Sequence, residues 1–142
     1  MSGDFSSNRR IATVTLVVAD YDEAIAWYTE KLGFQLTDDV DLGGGKRWVT
    51  VSTGGGARLL LARADIFLSG ADGGTQVAAV GNQTGGRVAF FLETADFARD
   101  HASMKERGVE FREEPRHEAY GTVAVFADLY GNLWDLIEPR AV

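Results

Sequence analysis

The chain has 142 residues, 45% of them hydrophobic and 11% aromatic, which is enough for one domain with a real core and argues against disorder. Fourteen basic residues against 21 acidic ones leave a net charge of −7. With no basic surplus to displace phosphate counterions, nucleic acid is not an expected partner. Cysteine is absent, which excludes disulfides, thiolate nucleophiles and cysteine zinc sites.

Residues 1–9 read as a polar leader with no signal-peptide character, and no apolar run reaches membrane-spanning length, so a cytoplasmic protein with no membrane partner is expected. Ile11 to Val18 is the first strand, with Val14, Leu16 and Val18 on one face and Thr13, Thr15 and Val17 on the other. Asp20 and Glu23 open a helix in the manner of a capping box. Tyr21, Ala24, Ile25, Tyr28 and Leu32 form its apolar stripe, and Gly33 ends it. A short strand over 34–37, a turn at Gly43-Gly44-Gly45, a strand over 47–53, a turn at Gly54-Gly55-Gly56 and a strand over 58–62 complete a β-α-β-β-β unit.

Residues 64–85 are a polar linker with some short helical structure and one apolar knot, Ile66-Phe67-Leu68. The pattern then restarts: a strand over 87–92, a helix from Asp96 to Arg107 stopped by Gly108, and a strand over 109–112. After the loop 113–119 comes a closing hairpin. Its strands are Thr122–Phe126 and a return strand ending at Pro139, joined by the turn Asp128-Leu-Tyr-Gly131-Asn132. Asp20 to Gly33 spans 13 positions and Asp96 to Gly108 spans 12, the mark of an internal duplication. The expected fold is therefore α+β, one domain over 1–142. Two βαβββ modules, about 10–63 and 86–140, form a curved mixed sheet around a cleft, with the helices outside. Val14, Leu16, Tyr28, Leu32, Val88, Phe90, Trp134 and Leu136 are the expected core.

The duplicated unit, the run from Val18 through Trp27-Tyr28 to Gly33-Phe34, and the ending Asp128-Leu-Tyr-Gly131-Asn132-Leu-Trp134-Asp135-Leu together resemble the vicinal oxygen chelate superfamily. That group contains glyoxalase I, bleomycin resistance proteins, fosfomycin resistance enzymes and extradiol dioxygenases, and the resemblance covers about residues 10–140. It implies the glyoxalase/bleomycin resistance-type fold and a divalent metal held by the first and last strands of each module. Carried across, the four ligand positions fall on Thr13, Leu60, Arg87 and Asp135. Of these only Asp135 is a metal ligand type, so neither metal nor other cofactor is expected. The resemblance also implies a homodimer, since half-sheets of this superfamily usually complete their cleft with a partner chain, and the Ile66-Phe67-Leu68 knot needs a cover.

Asp135 alternates with Trp134 and Leu136, so it lies on the other face of its strand. An ion pair between Arg87 and Asp135 is expected, with Thr13 and Leu60 beside it, either neutralising the vacated metal position or presenting Arg87 to a ligand. Arg58 shares the parity of Leu60. Trp48, Phe91, Tyr120 and Phe126 are candidate cleft aromatics for a planar ligand. His101, on the apolar face of the second helix, reads as a packing residue. His117 reads as a solvated loop histidine or, with Tyr120 and Asp135, as an acid–base candidate. The glycine triplets are hairpin turns, not phosphate loops, because neither opens a helix. These features lead to a metal-free protein that binds a small organic molecule. The alternatives are a glyoxalase-like lyase or isomerase, or a dioxygenase-related enzyme using a divalent metal, and a structural partner with a vestigial cleft.

Overall fold

The computed structural model describes residues 8–65 and 71–140, so the Ile66-Phe67-Leu68 knot lies outside the described residues. The elements in order are β1 (Thr13–Val18), α1 (Tyr21–Lys31), β2 (Gln35–Gly43), β3 (Lys46–Ser52), β4 (Arg58–Arg63), α2 (Ala71–Ala79), β5 (Val88–Glu93), α3 (Phe97–Glu106), β6 (Glu110–Phe111), β7 (Arg116–Glu118), β8 (Gly121–Ala127) and β9 (Leu133–Pro139). Both helices of the repeat start as the sequence requires. The Asp20 carboxylate accepts the Glu23 N–H and the Asp96 carboxylate accepts the Arg99 N–H, each satisfying a donor that has no partner within the helix.

Two open sheets repeat one topology. The first runs β1-β4-β3-β2 and the second β5-β9-β8-β6, with β7 pairing on β8. In each, the first strand of the module lies parallel to the last. The α+β class and the duplicated strand order are those expected from the sequence. No helix among the described residues is long and apolar enough to cross a membrane.

One core joins the modules. Leu16, Val18, Val49, Val51 and Leu61 come from the first sheet, Phe126, Trp134 and Leu136 from the second, Tyr28 from α1, and Phe97 and Met104 from α3. The Tyr28 ring lies 5.7 Å from Phe34 and 5.8 Å from Trp134, so the first module's helix packs directly on the second module's sheet. Burial of each such side chain contributes about 1.5–3 kcal/mol. The inner faces of both sheets are spent on this core, so their other faces point away from it. In the single chain the sheets stay open.

Four details depart from the expected elements. Strand β2 reaches Gly43 instead of ending near Thr37, because cross-strand pairing with β3 carries its acidic run. Residues 116–118 form β7 where a loop was expected. Phe126 is fully buried in the core, so it is not a cleft aromatic. Val88 registers with Leu133 while Phe90 registers with Trp134, so Ala89 is an extra residue that reverses the alternation. Val88 is therefore half-buried and in register with the face opposite Trp134, not a member of the inner core.

The linker holds the halves in place. Gln83 accepts the Val17 N–H (2.7 Å) and donates to the Thr15 carbonyl (2.6 Å), mimicking a strand on the free edge of β1. Two residues earlier the chain crosses the β8–β9 turn so closely that a Cβ on Gly81 would sit 2.1 Å from the Tyr130 carbonyl oxygen; with φ at +76° only glycine fits.

Candidate functional site

The open face of the first sheet carries Thr13, Arg58, Leu60 and Trp48. Thr13 is in register with Arg58, and Leu60 with both Thr15 and Thr50. Trp48 lies two residues from Thr50 on β3, and so shares its face. Arg58 is the centre of a polar network. Its Nη1 donates to Asp38 Oδ2 (3.1 Å) and its Nη2 to Thr13 Oγ1 (3.4 Å). Asp38 Oδ2 also accepts from Thr50 Oγ1 (2.7 Å), and Thr50 meets Thr37 at 2.6 Å. Thr50 is completely buried, so it anchors this network. Asp38, Thr50 and Thr37 were not singled out from the sequence. The strict alternation Asp39-Val40-Asp41-Leu42 was the signal that β2 continues past Thr37, and it places Asp38 on the same face as Val40.

The open face of the second sheet carries Phe91 and Asp135, which are in register on β5 and β9. Phe91 is 64% exposed, an unusual state for a phenylalanine in a strand. The Asp135 carboxylate makes no hydrogen bond or ion pair among the described residues, and its Oδ1 is buried without a partner. Burial pushes its pKa up, Arg116 pulls it back, and Glu113 pushes it up again. Arg116 is already engaged, donating to Glu113 at 2.9 Å and to Glu118 at 3.0 Å.

The expected Arg87–Asp135 pair is not formed. The extra residue at Ala89 turns Arg87 off the face that Asp135 occupies, and Arg87 lies exposed with no ion pair among the described residues. Nor do Asp135, His117 and Tyr120 come together within a chain. His117 registers with Thr122 and meets its hydroxyl at 3.3 Å, whereas Asp135 is in register with Val125, on the opposite face of β8. Tyr120, 49% exposed, precedes β8 and has a backbone tie to Arg140. Thr13 and Leu60 lie on one face and Asp135 on the other, so the four carried-over positions do not converge in one chain. A concavity of about 400 Å³ runs between the modules, lined by Val14, Val51, Leu59, Phe90, Phe91 and Trp134 but by neither Arg58 nor Asp135.

The comparisons agree with this architecture. The family model described as Glyoxalase/Bleomycin resistance protein/Dioxygenase superfamily matches residues 10–136. The chain belongs to this superfamily. Relatives include an uncharacterized protein of Shewanella frigidimarina (strain NCIMB 400), 50% identical over 131 residues that cover 90% of this chain and 92% of the relative. The uncharacterized protein YurT of Bacillus subtilis (strain 168) is 32% identical over 136 residues, covering 91% and 98%. Among solved structures, UcmS2 is 29% identical with a TM-score of 0.79, covering 92% of this chain and 98% of that one. TnmS3, described as an antibiotic binding protein from Streptomyces sp. CB03234, is 26% identical with a TM-score of 0.71, covering 93% and 97%.

The superfamily includes metal-dependent enzymes, and the donor set here does not suit a divalent ion. Threonine, leucine and arginine at 13, 60 and 87 leave Asp135 as the one strong ligand, whereas such a centre needs three or more N or O donors. A threonine hydroxyl is a weak neutral ligand, and an arginine is never deprotonated to become one.

Proposed function

We propose that this protein binds a small organic molecule without a metal, as a homodimer, in clefts formed where the open faces of two copies meet. The observation that carries the reading is the pair of open sheet faces. Each presents an exposed aromatic and a charged side chain, Trp48 and Arg58 on the one and Phe91 beside Asp135 on the other. An exposed aromatic next to a polar anchor is how ligand sites combine contact area with orientation. The likeness to TnmS3, an antibiotic binding protein, supports a sequestering role over a chemical one, and the ligand-position residues support a metal-free cleft. The acidic balance supports a protein that does not engage nucleic acid, and on this reading it works in the cytoplasm.

Three measurements on the purified full chain test this. Light scattering at micromolar concentration is expected to give a dimer, and a monomer overturns the shared cleft. Elemental analysis is expected to find no stoichiometric transition metal; one tightly bound Ni, Zn, Mn or Fe per chain overturns the metal-free reading and favours the lyase or isomerase alternative. Titration with planar polycyclic antibiotics, followed by intrinsic fluorescence, is expected to show quenching that Trp48→Phe diminishes. No response across that panel, or one unchanged in Trp48→Phe, removes Trp48 from the site.

A further inference from the structure

The two open faces carry complementary charge. On the first, Arg58 is held from both sides, by Asp38 and Thr13, which engage two of the five N–H donors of its guanidinium. Its side chain is 41% exposed, which leaves its remaining donors accessible on a face where Asp38 is its ion-pair partner. On the second face three carboxylates, Asp135, Glu113 and Glu118, stand against one guanidinium, Arg116, whose two ion pairs go to the glutamates. Asp135 is left over. A half-buried carboxylate with no donor is costly; Arg116 of its own chain attracts it, but no described residue donates a hydrogen bond to it.

We infer that in the dimer Arg58 of each copy reaches Asp135 of the other, so that one guanidinium bridges Asp38 of its own chain and Asp135 across the interface. This rests on the reading that the open faces of two copies meet. A two-fold axis that lays the first sheet of one copy on the second sheet of its mate does so twice, forming two identical pairs in a closed assembly. The occupant is a second copy because one chain supplies both halves of the complementarity: free donors on one face and an unmatched acceptor on the other. The exposed Phe91 beside Asp135 supplies apolar ground for the pair, and the exposed Val40 and Trp48, farther along the face that carries Arg58, extend the apolar area. The pair would stand at the base of each cleft and fix the register of the two faces.

Charge exchange with the full chain tests it by sedimentation velocity. Arg58→Glu homodimers place two carboxylates together at each pair, and Asp135→Lys homodimers place two cations together. Each variant alone is expected to dimerise roughly tenfold or more weakly than the parent. An equimolar mixture of the two is expected to regain dimer. In the mixed dimer one pair joins the two introduced side chains, a carboxylate at position 58 and an ammonium at position 135, and the other is the native Arg58 with Asp135. Damage confined within a chain, such as the introduced carboxylate at position 58 crowding Asp38, persists in the mixture, so a mixture that stays monomeric overturns the inference. Two variants that dimerise as tightly as the parent also overturn it, while leaving the dimer reading standing. A parent chain that is monomeric takes both readings down together.

Discussion

The closing turns of the two modules occupy the same place in a repeated topology and are built by opposite means. In the first, Thr53 and Gly54-Gly55-Gly56 join β3 to β4 in solvent, and the Thr53 hydroxyl bonds only to the Gly55 backbone. In the second, Asp128 is buried in the β8–β9 turn. Its carboxylate accepts from the N–H groups of Tyr130 and Asn132, from Asn132 Nδ2 at 2.9 Å, and from the Tyr28 hydroxyl at 2.6 Å. One turn is local, and the other is tied to the first module's helix. The backbone pattern repeats while the polar partners differ, and in the second turn those partners add a tie between the halves.

The sharpest way to break that comparison is to remove the acceptor. Asp128→Ala leaves several buried donors unpaired and is expected to cost about 3–5 kcal/mol in denaturant unfolding, against less than about 0.5 kcal/mol for Thr53→Ala. Equal costs would mean that the buried turn is no more than a local one. A narrower cut, Tyr28→Phe, keeps the ring packed on Trp134 and removes only the hydroxyl, at about 1–3 kcal/mol. Burial, then the Asp128 charge, already holds that phenol well above its ordinary pKa, so it remains a donor throughout the neutral range.

The smallest effect contrasts the helices themselves. Counting from their capping aspartates, Ile25 in α1 and His101 in α3 occupy the same position. His101 stacks on Phe97 (5.2 Å) and packs against Phe111 (4.4 Å), and its buried Nε2 has no partner among the described residues. Burial first, then Lys105, holds its pKa below the ordinary 6.5, with Glu114 pulling the other way. As pH falls the unfolded chain takes up this proton first. The stability tied to neutral His101 is thus full above about pH 6.5 and is lost as the pH drops from there through the lowered folded value. His101→Phe is expected to flatten the fall of Tm below about pH 6.5. An unchanged slope would assign the acid sensitivity elsewhere.

Much of the fold was legible because it is local. The Asp20 and Asp96 caps, the stripe through Tyr28 and the hairpin around Gly131 each depend on spacing within a dozen residues, and each stands where the sequence placed it. His101 as a packing residue was readable for the same reason. The site was readable only in part. Thr13, Arg58, Leu60 and Trp48 share a face because strand alternation is strict in β1, β3 and β4. Arg87 does not join Asp135, because one extra residue at Ala89 reverses the alternation, and no composition signal marks a bulge there. Asp38 was hidden in an acidic run that reads as a loop until β3 pairs with it.

By itself, then, the sequence determined the duplicated βαβββ pattern and the superfamily. These follow from residue identity and short-range periodicity. Only the tertiary structure decided which way the modules face. Their apolar faces, Leu16 and Leu61 on one side and Phe126 and Trp134 on the other, bury more surface against each other and the helices than either sheet could alone. That packing turns Arg58 and Asp135 outward on separate faces, a relation between residues 77 positions apart that no local pattern encodes.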